Sequence, residues 1–173
     1  MKSITALVDH TLTWSQPKAM RSVHELRFGP DLVATLQFPK MLSSAAVAES
    51  GDGRWALERT GVLNTRVIVR KPESDLPLAT YTPRAFKTGG KVQLASGKAL
   101  LLRRSIWESR TELVTEGGEP LVEMQSRGFF RHFVDVKINR RALQYEELPC
   151  LVMLLFYSIL LRRRDAATHS AVH

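Results

Sequence analysis

Cysteine is almost missing from this chain of 173 residues. The one residue, Cys150, excludes an internal disulfide and fits a reducing compartment, so the cytoplasm is the expected location. Histidines are few and scattered. His10, His24, His132, His169 and His173 show no paired spacing, and one cysteine does not complete the ligand cluster that a metal requires. No glycine-rich phosphate loop, nucleophile elbow or His-Glu zinc motif occurs. The opening residues, Met1 to His10, lack the run of about seven or more apolar residues on which a secretory signal depends, so no export is expected. No residue identifies an enzyme, and no cofactor or metal is implied.

Long apolar runs are also missing, with one exception. Leu148 to Leu161 carries no charge, but at about 1.5 Å per residue it spans roughly 21 Å, short of the ~30 Å hydrocarbon layer. Glu146 and Glu147 stop it on one side and Arg162, Arg163 and Arg164 on the other, so no transmembrane span is expected. The flanks suit helix ends: carboxylates and Pro149 in the first turn, and a C-terminal cap of cations in the last. The predicted helix, about 147–164, has no polar face and must be covered on all sides in a water-soluble protein. A short tail anchor with snorkelling arginines and a helix shared with a partner chain are the other readings.

What could cover the helix lies before it. From about Ser22 to Ile138 the chain reads as short segments of period-two alternation. They are Val33 to Phe38, Trp55 to Arg59, Arg66 to Val69, Leu78 to Tyr81, Lys91 to Leu94, Ala99 to Arg103, Arg110 to Val114, Pro120 to Met124 and Val134 to Ile138. Turn signals separate them at Gly51-Asp52-Gly53, Pro72 to Asp75, Gly89-Gly90, Ser96-Gly97-Lys98 and Glu116 to Glu119. A weak repeat of about 44 residues aligns Leu57, Arg59, Leu63 and Arg66 with Leu101, Arg103, Trp107 and Arg110. Many evenly spaced strands close most simply into a barrel. The expected fold is therefore mainly β, an antiparallel β-barrel enclosing a buried apolar C-terminal helix. Residues 21–165 form the barrel domain. Residues 1–20 are read as an N-terminal extension, broken by Pro17, whose Trp14 tucks against the barrel, and 166–173 as a flexible tail.

This order resembles the tubby-like superfamily, which includes the LURP-one-related proteins and the phospholipid scramblases. The likeness rests on the Gly53-Arg54-Trp55-Ala56-Leu57-Glu58-Arg59 strand, the Glu119-Pro120-Leu121-Val122 strand opening, and the closing apolar helix followed by basic residues. It covers about Arg21 to Asp165. The chain lacks a cysteine-rich segment and the calcium-binding acidic loop of scramblases, so calcium-dependent lipid flipping is not implied. What the resemblance implies is a non-catalytic binding module, cytoplasmic or peripheral at a membrane, that associates reversibly with anionic phosphoinositide surfaces.

The charge agrees with an anionic partner, because net charge is +8 and the pI is about 10.1. Ser126-Arg127-Gly128-Phe129-Phe130-Arg131-His132-Phe133, followed by Lys137, Arg140 and Arg141, interleaves cations with aromatics. Arg127, Arg131, Lys137, Arg140 and Arg141 are the candidate lipid-contacting residues. Single-stranded nucleic acid is the second reading, with bases stacked on Phe129 or Phe130. A third leaves the phenylalanines inside the barrel and the cations as solubilising charge. A carrier or enzyme with a pocket at the barrel mouth is the rival function. Glu108, Glu112, Glu116, Glu119 and Glu123 read as the solvated face of one hairpin, Cys150 as an inert buried thiol, and His132 and Asp135 as opposite faces of one strand.

Overall fold

A computed structural model describes residues 1–19, 22–84, 88–128 and 131–172. Twelve strands run in chain order: β1 (Thr11–Ser15), β2 (Val23–Phe28), β3 (Asp31–Gln37), β4 (Ala46–Ser50), β5 (Gly53–Thr60), β6 (Arg66–Arg70), β7 (Pro77–Pro83), β8 (Gly89–Leu94), β9 (Ala99–Ser105), β10 (Arg110–Thr115), β11 (Pro120–Arg127) and β12 (Phe133–Ile138). Each pairs antiparallel with its neighbour, and β1 closes the barrel by pairing with β12 as well as β2. Closure removes every sheet edge. The lumen-facing rows are apolar, as in Leu12 and Trp14 or Val134, Val136 and Ile138. Outward rows carry residues such as Lys91, Gln93, Glu112, Glu123 and Asp135, the inverse of the pattern of a membrane-spanning barrel.

The helix α1 (Leu148–Ala171) runs up the barrel, and its first fourteen residues, Leu148 to Leu161, are buried. An eight-stranded barrel is filled by its own side chains and a sixteen-stranded one leaves a channel, so twelve strands leave room for one helix. Phe156 stacks on Trp14 with ring centroids 4.1 Å apart and planes 4° from parallel. Two polar groups go into the lumen satisfied. The Tyr157 hydroxyl donates to the Ser44 carbonyl at 2.7 Å, and Ser158 donates to the Leu154 carbonyl one turn back at 2.8 Å.

Within the expected extension, residues 11–15 are a barrel strand: Leu12 and Trp14 are fully buried, and Trp14 lies inside the barrel, because an apolar alternation of only five residues suffices when both edges find partners. β2 and β4 were likewise unmarked in sequence. The helix continues past Arg164 to Ala171, so the three arginines are not its cap but the point where it leaves the barrel; no proline or glycine stops it there. Gly89-Gly90 is no turn but the first two residues of β8. A Cβ on Gly89 would lie 2.2 Å from the Leu102 carbonyl oxygen, and one on Gly90 2.2 Å from that of Thr82, so glycine permits the close strand approach. In the 44-residue repeat β5 and β6 correspond to β9 and β10, but Leu57 faces the lumen whereas Leu101 faces outward. A one-residue slip exchanges the faces, and the matched strands are not equivalent in packing.

Candidate functional site

Antiparallel closure sends every connection that follows an odd-numbered strand to one end of the barrel. That end is where α1 leaves, and it is called distal here; α1 begins at the proximal end. Three distal connections each present an adjacent apolar pair to solvent: Met41-Leu42, Val62-Leu63 and Ile106-Trp107. Leu42 and Trp107 are 99% exposed. At the proximal end Met1, Leu76 and Leu143 are exposed singly. Scattered surface apolar residues are ordinary, whereas here exposed pairs recur at one end of the barrel, on the adjacent β3–β4 and β5–β6 tips and on the β9–β10 tip beyond the β7–β8 hairpin.

Charge segregates along the same axis. Among the described residues, the distal connections and the emerging helix carry Lys18, Lys40, Arg84, Arg131, Arg162, Arg163 and Arg164 against Glu108 and Asp165. The proximal connections carry Asp9, Asp52, Glu73, Asp75, Glu116, Glu119, Glu146 and Glu147 against Lys2, Lys71, Lys98, Arg140 and Arg141. The molecule is therefore electrically polar, with its positive end also its apolar-tipped end.

The emerging helix holds this end in place. Asp165 pairs with Arg59 at the end of β5 at 2.7 Å, and that hydrogen bond raises the Arg59 pKa against the effect of burial. Arg164 donates to the backbone carbonyls of Ser43, at 3.0 Å, and of Met41, and its guanidinium lies 4.3 Å from the centre of the Phe38 ring. The β3–β4 connection is thus pinned by its backbone while Met41 and Leu42 point outward. Arg163 meets His132, whose pKa is lowered by partial burial and by that arginine.

The candidate lipid contacts do not form one patch. Arg127 and Arg131 lie at the distal end. Arg127 is engaged with Asp135, at 2.7 and 3.1 Å, and covers the Phe133 ring. Lys137 faces outward on β12, opposite Thr11 and Glu123. Arg140 and Arg141 occupy the proximal end and pair with Asp9 at 2.8 Å and Glu119 at 3.5 Å. Phe129 and Phe130 fall outside the described residues. His132 and Asp135 point apart, the first to Arg163 and the second to Arg127 and Thr13. The glutamate series runs along the outside of the β9–β11 hairpins, where Glu112 pairs with Arg103 and Arg110. It converges on nothing.

The chain matches no family model, no curated protein and no solved structure. Function must therefore be argued from the geometry. Among the described residues no helix is long and apolar enough to cross a membrane. Cys150 lies in the wall of a proximal cleft of about 710 Å³ but is itself 1% exposed, and burial together with Glu147 pushes its thiol up to about 12. The native protein should react with a thiol reagent at least about 100-fold more slowly than the denatured chain. Equal rates, followed by absorbance of the released chromophore, would place the helix outside the barrel.

The apolar tips are not evident from any one loop taken alone. The signal was present: evenly spaced strands imply an up-and-down order, and sorting the connections by parity puts the apolar pairs on one side and the acidic turns on the other.

Proposed function

We propose that this protein is a non-catalytic lipid-docking module of the tubby-like type, which lays the distal end of its barrel on an anionic membrane surface. The observation that carries the reading is the coincidence of apolar hairpin tips with the positive end of the molecule. Each exposed leucine, valine or tryptophan gains up to about 1.5–3 kcal/mol when removed from water, and each cation held at an anionic surface about 1 kcal/mol. Neither signal anchors a protein alone, and together they give reversible attachment. The barrel around a central helix is the architecture that the resemblance implies. A nucleic acid would satisfy the cations but would have no use for Met41, Leu42, Val62 and Leu63.

Trp107 is a built-in reporter, because Trp14 and Trp55 are buried. Vesicles of phosphatidylserine and phosphatidylcholine with brominated acyl chains should bind the protein and quench its fluorescence, and binding should weaken as salt rises. Pure phosphatidylcholine should bind poorly. Trp107→Phe should remove the quenching while binding persists, and Leu63→Asp with Trp107→Asp should weaken binding by at least about tenfold. Binding unchanged by the aspartates, or retention on single-stranded DNA in preference to the vesicles, sinks the proposal.

A further inference from the structure

β9 places Leu100, Leu102 and Arg104 in one row toward the lumen, so an arginine continues the core into the distal mouth. Arg104 is half-buried beside Tyr81 of β7 and Arg162 of α1. Burial and the Arg162 charge push its pKa down to about 10. Burial likewise raises the Tyr81 hydroxyl, and the two arginines oppose that rise. Several other rim guanidiniums are engaged: Arg59 with Asp165, Arg110 with Glu108 and Glu112, Arg164 with backbone carbonyls. Among the described residues no carboxylate pairs with Arg104 or Arg162. The one carboxylate lining their cleft, Asp165, is held by Arg59.

Two guanidiniums that line one cleft, one of them half-buried and neither paired with a carboxylate, favour an anion between them. The cleft they share has a volume of about 440 Å³ and is also lined by Thr65, Tyr81 and Thr88. A second cleft of about 170 Å³ reaches the same two arginines from the β10 side, past Ser109 and Ser126. Planar forked donors favour phosphate, and a phosphomonoester dianion matches two cations where a carboxylate matches one. The larger cleft has room for the alcohol part of the ester as well as its phosphate. We propose that Arg104 and Arg162 form a phosphomonoester site in the distal mouth of the barrel. The ester is either a soluble molecule or the headgroup of a lipid. A lipid source rests on the docking reading above; a soluble source does not.

Two titrations of the full-length protein test this, one with glycerol 3-phosphate by calorimetry and one with vesicles containing phosphatidic acid or, at matched charge, phosphatidylglycerol. Glycerol 3-phosphate should bind the wild type and lose at least about tenfold in affinity in Arg104→Met and in Arg162→Gln. A preference for phosphatidic acid over phosphatidylglycerol that disappears in Arg104→Met, with phosphatidylglycerol binding unchanged, assigns the site to a lipid headgroup. Glycerol 3-phosphate binding without that preference assigns it to a soluble ester. Should Arg104→Met fail to fold, Arg162→Gln decides, because Arg162 is exposed. The site is overturned if the wild type neither binds glycerol 3-phosphate nor discriminates the two lipids, or if the variants bind as the wild type does. Failure to bind either vesicle, with glycerol 3-phosphate still bound, strikes the docking reading and leaves the site.

Discussion

Phe156→Ala is expected to cost about 3–5 kcal/mol of stability, the largest effect of any single truncation considered for this protein. Phe156 is 1% exposed; one face of its ring stacks on Trp14 and the ring meets the edge of His24 at 5.4 Å between centroids. Alanine leaves a cavity between a helix and a closed sheet, and neither can collapse into it without breaking strand pairing. Urea unfolding reads the effect: at an m-value near ~2 kcal/mol/M the midpoint falls by about 2 M with m unchanged. His169→Ala, on the emerged part of the helix, should move the midpoint by less than about 0.3 M. Because Phe156 and Trp14 touch, Trp14→Leu combined with Phe156→Ala should cost less than the two separately. A loss below about 1 kcal/mol for Phe156→Ala would mean that the helix is not the centre of the core.

The second large effect is a loss of stability in mild acid. His24 packs against Phe156 with its pKa lowered to about 4, first by burial and then by the charge of Arg163. Its ordinary value is near 6.5, so between about pH 6.5 and 4 the unfolded chain takes up a proton that the folded protein refuses. Stability from this group is complete above about pH 6.5 and is lost as pH falls through that window, by up to about 3 kcal/mol at 1.36 kcal/mol per pH unit. The groups around the ring offer no compensation: Arg131, His132 and Arg163 line the same cleft of about 310 Å³, and His132 is itself held toward its neutral form. Carboxylates also destabilise at low pH, so the informative quantity is the difference between wild type and His24→Phe. The stability of the wild type minus that of the variant should fall steadily from pH 7 to pH 4.5 in urea unfolding. A constant difference would show that His24 is not buried neutral against the helix.

The same packing explains how much of the fold was legible in the chain. Val134 to Ile138 and Lys91 to Leu94 alternate cleanly because one face of each is fully buried and the other wet. Thr11–Ser15 was not legible: Thr11, Thr13 and Ser15 are only weakly polar, and the strand is made secure by pairing with both β2 and the distant β12. Arg104 could have been found, since Leu100, Leu102 and Arg104 share a parity, yet sequence gives no hint that it lacks a carboxylate. The basic stretch around Arg127 to Arg141 was misleading for a geometric reason. It crosses the barrel from the distal end to the proximal end along β12, so cations adjacent in sequence are separated by the length of a strand.

Sequence by itself determined that the chain holds a strand-rich body and an apolar helix too short to cross a bilayer and charged at both ends. The structure decided that the body, rather than a membrane or a partner chain, covers Leu148 to Leu161. Only the tertiary structure decided where charge and exposed apolar groups gather. In the chain the acidic turns and the apolar loops alternate about every ten residues and read as an even mixture. Folding into antiparallel strands reverses direction at each turn, so alternate connections go to opposite ends, and a mixture along the chain becomes a separation in space.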